Sequence, residues 1–367
     1  MSRVEYNIYT SGNAPWLYPT DMIYGLLWYE KESAIEIPIK LPFKGEWGNA
    51  LTTALTLREK YPIPFKLDIL WLSIIEHIFY EFEAELPSSL IEQDWNKVDK
   101  NNNKIFSHIV VGMAPYGKIA IWLNGSNKSI LISWQKAKQV YVNLRDFKPY
   151  LRLKTTEEYC NHFIDEDLQV KNNLKIKGLP SLYLFDKYMQ QFTYRYLPIL
   201  EKWNHDNNKW CKYTEDEVSP QFDYIENYLF DGTHDKLHDD GLLKYHESGK
   251  PQKLKIQMYK GKTEWSVYFW FEDERIREVF DKFYGAHPDT KTDFIIRIDA
   301  ENKKYELALY RYGLKEPQVI PEDVYQLLVF KNKFEDYRSE NYNQDGKNGV
   351  DCYSKNGHAV TVLTRQS

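Results

Sequence analysis

The chain has 367 residues, of which 48 are basic and 53 acidic, so its net charge is −5 and its pI is near 6.0. This acidic excess disfavours nucleic acid as a partner. The apolar content of 43% is enough for packed cores and excludes wholesale disorder. At roughly 150 residues per domain, the length predicts about two domains.

Cysteine usage and the N-terminus indicate the compartment. Cys160, Cys211 and Cys352 lie far apart and form no Cys-x-x-Cys motif, so we expect reduced thiols rather than disulfides or a thiolate zinc site. Residues 1–11 contain no apolar signal segment, and no apolar run approaches the roughly 18 residues of a membrane span. We therefore expect a cytoplasmic protein with no membrane partner.

The sequence contains a long-range repeat. The segment Pro64–Ile69 recurs in kind as Pro251–Ile256, 187 positions later. The aromatic strand pattern Glu76–Phe82 is matched by Glu264–Trp270, 188 positions later, and a strand pair follows in each copy at an offset of 186. This register predicts a duplicated strand–strand–helix–strand–strand unit over residues 64–123 and 251–309.

The region between the copies differs in pattern. Apolar residues spaced by three and four from Tyr183 to Trp203 predict a helix that Pro198 kinks or divides. We therefore predict an α+β fold of two similar antiparallel-sheet units with helices, joined by a partly helical segment. The predicted domains are residues 1–150 and 219–367, with the helical connection at 151–218.

One segment has residue types that could bind a metal. His234 and His238 lie four apart, beside Asp239 and Asp240, and this spacing on a helix can place two imidazoles on one ion. The flanking glycines favour a solvated polar loop instead, and the glutamate of the His-Glu-x-x-His motif is missing. The chain also lacks a nucleophile elbow, a phosphate-binding loop and a dinucleotide fingerprint. We expect no metal, no cofactor and no catalytic residue.

Charged clusters are the candidate sites for a protein partner, although solvated surface is the simpler interpretation of each. The candidate partner-binding residues are Asp165, Glu166, Asp167, Glu215, Asp216, Glu217, His234, His238, Asp239 and Asp240.

Several motifs resemble a known family. They are the block from Leu70–Ser73 to Phe79–Glu81, the block from Gly112 to Trp122, and Phe230–Thr233 followed by Asp240–Gly241, Lys244–His246 and Gly249–Pro251. Together they resemble domain-of-unknown-function family 2931, over most of the chain from about Tyr24 to Phe330. The resemblance lies in glycines, prolines and aromatics, and it carries over no catalytic residue.

The resemblance implies a function. Members of this family are Gram-negative bacterial proteins, many of them lipoproteins, and they are often encoded beside type VI secretion effectors. We therefore expect an immunity protein that binds a cognate effector toxin domain and neutralises it by occlusion, here in the cytoplasm because the chain shows no lipobox. Two alternatives remain: a metal-dependent hydrolase that uses His234, His238 and Asp239, and a carbohydrate-binding module whose aromatics stack on sugars.

Overall fold

The computed structural model describes residues 4–39, 42–51, 60–150, 152–285, 287, 289–299, 301, 303–333 and 351–354. The chain divides into two compact units. Unit 1 comprises residues 1–189 and 231–234, and unit 2 comprises residues 190–230 and 235–367. The division after Met189 falls inside the segment 151–218, for which the sequence predicts a connection.

Unit 1 has strands and five helices along the described chain. The strands are β1 (Tyr9–Asn13), β2 (Thr20–Glu30), β3 (Ser33–Glu36), β4 (Lys66–Ser73), β5 (Ile78–Glu85), β6 (His108–Ala114), β7 (Lys118–Asn124), β8 (Lys128–Lys136) and β9 (Lys138–Val140). The helices are α1 (Ser88–Trp95), α2 (Leu144–Phe147), α3 (Thr156–Glu166), α4 (Leu168–Lys177) and α5 (Leu184–Tyr188), and Pro115–Gly117 forms a 3₁₀ turn.

Unit 2 continues the chain. Its strands are β10 (Phe192–Leu200), β11 (Lys202–Asn204), β12 (Lys209–Cys211), β13 (Gln221–Leu229), β14 (His234–Leu237, whose first residue belongs to unit 1), β15 (His246–Ser248), β16 (Pro251–Lys260), β17 (Thr263–Phe271), β18 (Thr292–Asp299), β19 (Lys304–Arg311), β20 (Gln318–Val319), β21 (Tyr325–Lys333) and β22 (Asp351–Ser354). Its helices are α6 (Asp239–Leu242) and α7 (Asp273–Tyr284), with a 3₁₀ turn at Glu322–Val324.

The two units share a common strand topology, to which unit 1 adds β3 beside β2 and unit 2 adds β15 beside β10 and β22 beside β21. In unit 1, sheet 1A has the order β1-β6-β7-β8 with β1 parallel to β6, and sheet 1B has the antiparallel order β3-β2-β4-β5-β9. In unit 2, sheet 2A has the order β15-β10-β18-β19-β20 with β10 parallel to β18, and sheet 2B has the antiparallel order β13-β16-β17-β21-β22. Residues 64–123 and 251–309 thus contain the same elements with the same pairings.

In each unit, the core lies between the two sheets. In unit 1, Ile69 and Phe82 of sheet 1B share one buried cluster with Val111 of sheet 1A and Ile91 of α1. In unit 2, the rings of Phe269 on sheet 2B and Tyr305 on sheet 2A lie 6.4 Å apart. Helix α7 contributes to the same core, because the ring of Phe280 lies 5.3 Å from that of Phe192. The inward positions of each strand are therefore fixed by packing.

The predicted α+β class is wrong, because the structure is 46% strand and 19% helical. The predicted helix through Tyr196 and Leu200 shows the reason. Phe192–Leu200 forms β10, in which the buried Phe192, Tyr194 and Tyr196 alternate with less buried neighbours. A spacing of four residues fits the period of a strand as well as that of a helix, and aromatic residues favour the strand.

Trp122 explains two of the glycines that carry the family resemblance. Its buried indole Nε1 donates a hydrogen bond to the carbonyl of Asp231, 3.1 Å away. A Cβ at Gly112 would lie 2.4 Å from the Trp122 ring. Gly232 has φ +83°, and a Cβ there would lie 2.8 Å from the same ring. These positions have no side chain because the indole occupies the space.

Helix α3 covers part of the outer face of sheet 1B. Tyr159 and Cys160 pack in one buried cluster with Leu72 of that sheet. Tyr159 also donates its hydroxyl to the buried Asp21 carboxylate at 2.7 Å, and Lys148 pairs with the same oxygen at 2.8 Å. Burial raises the pKa of Asp21, and the hydrogen bonds from Lys148 and Tyr159 oppose that rise. This buried network fastens the helix to the sheet.

The Trp122 contact predicts the effect of a single methyl group. We expect Gly112→Ala to lower the free energy of unfolding by about 1–3 kcal/mol, because the added carbon overlaps a fixed indole. Urea unfolding followed by circular dichroism measures the loss. The matched variant Gly241→Ala meets only the flexible Leu237 side chain, at 3.3 Å, and should cost far less. Equal stability of the two variants would contradict the assignment.

Candidate functional site

The first acidic cluster lies where α3 meets α4. Asp167 caps α4 by accepting hydrogen bonds from the backbone N–H groups of the first turn, and it forms an ion pair with Lys44. Asp165 pairs with Lys171 at 2.9 Å, and Glu166 lies 3.4 Å from His162. Capping and pairing account for these carboxylates within unit 1.

The second acidic cluster lies in the turn before β13. Glu217 pairs with Lys202 and accepts a hydrogen bond from the backbone N–H of Thr214 at 2.9 Å. The Lys202 and Thr214 hydrogen bonds lower the pKa of Glu217 to about 2. Glu215 and Asp216 are exposed beside it. Glu217 therefore stabilises the turn, and its two neighbours face solvent.

The segment from His234 to Asp240 is a strand followed by a helical turn, so the expected polar loop is wrong. His234 begins β14, whereas Asp239 and Asp240 form the first turn of α6. His238 lies between these elements with Nδ1 3.2 Å from the carbonyl oxygen of Asp223. The sequence predicts a loop because Gly232 and Gly241 flank this segment. The eight residues between the two glycines are enough for a short strand and the start of a helical turn, which the glycines alone do not indicate.

The hydrolase hypothesis requires a cluster of ligands. Among the residues that the structure describes, no group of three or more His, Cys, Asp or Glu side chains could hold a metal ion. The absence of a metal at His234 and His238 remains a prediction.

The outward side chains of sheet 2B form a different kind of surface, which we name the aromatic face. It consists of Tyr224, Glu226, Tyr228, Lys253, Lys255, Tyr268, Trp270 and Phe330. The inward neighbours Val267 and Phe269 are fully buried, whereas Trp270 is 37% exposed. Since α7 packs in the core on the opposite side of sheet 2B, it does not cover this face.

Contacts within the aromatic face order its side chains. The Tyr268 and Trp270 rings stack at 5.3 Å with 11° between their planes. The Lys253 Nζ lies 3.9 Å from the centre of the Tyr228 ring. Such stacking and cation–π contacts hold large side chains in fixed positions before any partner arrives.

Lys255 is tied to strand β13. Its Nζ donates to the Tyr224 hydroxyl at 3.0 Å and lies 3.3 Å from the Glu226 carboxylate. Partial burial by itself would lower the pKa of Lys255, but these two interactions raise it above its ordinary value. The ammonium group therefore stays charged at neutral pH.

The equivalent outward row of sheet 1B carries carboxylates. Along β5, Glu81, Glu83 and Glu85 are exposed, and the intervening Phe82 is buried. Lys66 on β4 lies opposite Glu85 in the register and forms an ion pair with Glu83. This alternation of apolar and charged residues is typical of a strand with one face in water.

The strand registers identify the residues that replace these carboxylates in unit 2. Lys66 corresponds to Lys253 in the repeat, and Lys253 lies opposite Trp270 as Lys66 lies opposite Glu85. One step along the strands, Tyr268 takes the place of Glu83. Unit 1 forms its packed core with glutamates at these two outward positions. The aromatic rings at the equivalent positions of unit 2 are therefore not needed to form its core.

The aromatic face suits contact with a protein surface. Tyrosine and tryptophan that are partly exposed and held rigid are the residue types that dominate binding energy at interfaces. Stacking on a sugar uses one face of a ring, so the contacts within the aromatic face leave the carbohydrate-binding alternative open.

A known family matches the chain within unit 1. Residues 4–181 match the model of a family described as "Protein of unknown function (DUF2931)". Residues 4–181 belong to that family. Within this DUF2931 region lie Gly112 and Trp122, whereas the motifs from Phe230 to Pro251 lie outside the matched residues. No curated protein and no solved structure matches the chain.

In the part of the chain that the structure describes, each helix is too short or too polar to span a membrane.

The comparison of β5 with β17 predicts how the aromatic face tolerates substitution. We expect the double variant Tyr268→Glu/Trp270→Glu to change the free energy of unfolding by only about 1 kcal/mol, because unit 1 carries glutamates at both places. Phe269→Glu should abolish folding because it buries a charge in the core. Urea unfolding distinguishes them, and an equally severe loss in the double variant would show that the rings are structural.

Proposed function

We propose that the protein is an immunity protein that binds a cognate type VI effector toxin in the cytoplasm and neutralises it by occlusion, with the aromatic face as its contact surface. The family resemblance supports an effector toxin as the kind of partner. The outward residues of sheet 2B support the aromatic face as the contact surface. Affinity, not turnover, protects the cell in this proposal.

A single observation carries the binding role. Two outward positions that hold exposed glutamates in unit 1 hold Tyr268 and Trp270 in unit 2, on strands with the same pairing. A solvated strand gains nothing from this exchange, because partly exposed rings leave apolar area in water. An interface gains contact area and hot-spot residues. A partner surface is therefore the simplest reason for rings at these positions.

The geometry also supports tight binding. The rings of Tyr268 and Trp270 stand on a β-strand that is paired on both sides, by β16 and by β21. Side chains on a rigid strand lose little conformational entropy when a partner docks. A face of this kind can block a toxin's active site without any chemical step.

The charged clusters predicted from the sequence have a smaller role in this proposal. Asp167 and Glu217 are paired with Lys44 and Lys202. Exposed Glu215, Asp216, Asp239 and Asp240 can influence long-range association, but they offer no desolvated anchor.

Co-expression with the toxic domain of the neighbouring effector tests the proposal. We expect the wild-type chain to rescue growth and to form a stable one-to-one complex in gel filtration. Tyr268→Glu/Trp270→Glu should abolish both, because it removes the anchors and introduces carboxylates. The matched control is Glu83→Gln/Glu85→Gln, which changes the equivalent positions of unit 1 and should leave rescue and complex intact.

Two outcomes would contradict the proposal. A double variant that still rescues and still binds would exclude the aromatic face as the contact surface. Rescue by the wild-type chain without any stable complex would exclude occlusion and favour enzymatic reversal of the damage.

A further inference from the structure

We infer that the toxin docks by strand addition: an extended segment of the toxin pairs with the outer edge of β21, displaces β22 and lays its side chains over the aromatic face. This inference rests on the proposed function in taking the aromatic face as the contact surface. It goes beyond that function in assigning the secondary structure of the partner segment and the role of β22.

Strand β21 is paired unequally on its two sides. On one side, β17 pairs with all nine residues of Tyr325–Lys333. On the other side, β22 pairs with Leu328–Lys331. In the part of the chain that the structure describes, no strand pairs with Tyr325–Leu327 on that second side. The backbone of Tyr325–Leu327 can therefore pair with a further strand.

Unit 1 ends its corresponding sheet in a different way. There β9 takes the place beside β5, and it has three residues, Lys138–Val140. Natural sheets often end in strands this short, because few backbone groups are then left for pairing with another chain. In unit 2 the place beside β17 is taken by the nine residues of β21. Unit 2 thus has the longer edge strand, on the same sheet as the aromatic face.

The open part of this edge lies next to the aromatic face. The exposed Gln326 lies opposite Trp270 in the register, and Leu328 lies opposite Tyr268. The ring of Phe330 lies 5.5 Å from that of Tyr268, so the face continues onto β21. A strand paired with β21 would lie about 4.8 Å from it and would place every second side chain on the side of the sheet that carries these rings.

Strand β22 is suited to release from this edge. It has four residues, Asp351–Ser354, and residues 334–350 separate it from β21 along the chain. Few residue pairs hold it in place, and the closure of a long connection has an entropic cost. Such short elements open at a much lower free energy than the one that unfolds a whole unit. β22 therefore covers part of the edge without competing strongly with a longer partner strand.

The edge and the face together define the partner segment. An extended segment along β21 replaces the pairs with Leu328–Lys331 and adds the backbone hydrogen bonds of Tyr325–Leu327. In strand addition, main-chain hydrogen bonds supply affinity and alternate side chains supply specificity. Side chains that meet Trp270 and Phe330 are best apolar or aromatic. The partner is therefore a strand with apolar residues at every second position.

Hydrogen–deuterium exchange of the full chain, free and bound to the effector's toxic domain, tests the inference. We expect amide exchange within residues 325–333 to slow severalfold on binding, and exchange within residues 351–354 to become faster because β22 is released. The control is β9, the corresponding edge of unit 1, whose exchange should not change. Unchanged exchange at β21, or slower exchange at β22, would overturn the inference.

A cross-link that holds β22 in place provides a second test. Lys331 lies opposite Asp351 in the register, so Lys331→Cys/Asp351→Cys, in a Cys352→Ser background, allows a disulfide between the two strands. We expect the oxidised protein to bind the toxic domain roughly tenfold more weakly than the same protein after reduction. Circular dichroism should show both forms folded. Equal binding by the two forms, or failure of the disulfide to form, would contradict the role of β22.

The outcomes separate this inference from the proposed function. If Tyr268→Glu/Trp270→Glu abolishes the toxin complex while the oxidised chain still binds fully, the aromatic face is the contact surface and strand addition is wrong. If the oxidised chain loses binding while Tyr268→Glu/Trp270→Glu keeps it, strand addition at β21 holds and the aromatic face fails as the contact surface.

Discussion

The alternation of side chains along a strand is the constraint on which the rest of the structure depends. Phe82 on β5 and Val267 on β17 point inward and must be apolar, because the core of each unit closes between two sheets. The outward residues of the same strands are not bound by that requirement. The two units can therefore keep one strand pairing while the outer face of sheet 1B carries glutamates and the outer face of sheet 2B carries aromatic rings.

The sequence indicates the repeat because the inward residues recur, but the offset that it predicts between β5 and β17 is wrong. An offset of 188 sets Phe79 against Val267, whereas the strand pairs set Phe82 there, since Ile69 pairs with Phe82 and Ile256 with Val267. The connection between β4 and β5 is longer than the one between β16 and β17. A loop of different length shifts everything after it, and composition alone does not reveal the shift.

The same misreading hid the candidate site. In the register that the strand pairs define, Glu83 and Glu85 of unit 1 are equivalent to Tyr268 and Trp270 of unit 2. The replacement of charged residues by aromatic ones can then be recognised in the sequence. The sequence predicts partner binding at the acidic clusters because runs of charge are easy to recognise. In the structure, however, Asp167 caps a helix and Glu217 stabilises a turn. Which carboxylates are already paired depends on tertiary contacts that no local pattern contains.

The proposed function requires that the toxin docks on the aromatic face of unit 2. Hydroxyl-radical footprinting of the complex with the effector's toxic domain tests it directly, because oxidation reports the exposure of individual side chains. The account predicts that oxidation of Tyr268 and Trp270 falls severalfold on binding, while the exposed Tyr141 and Tyr312 react as in the free protein. Unchanged oxidation of Tyr268 and Trp270 in a stable complex would contradict it.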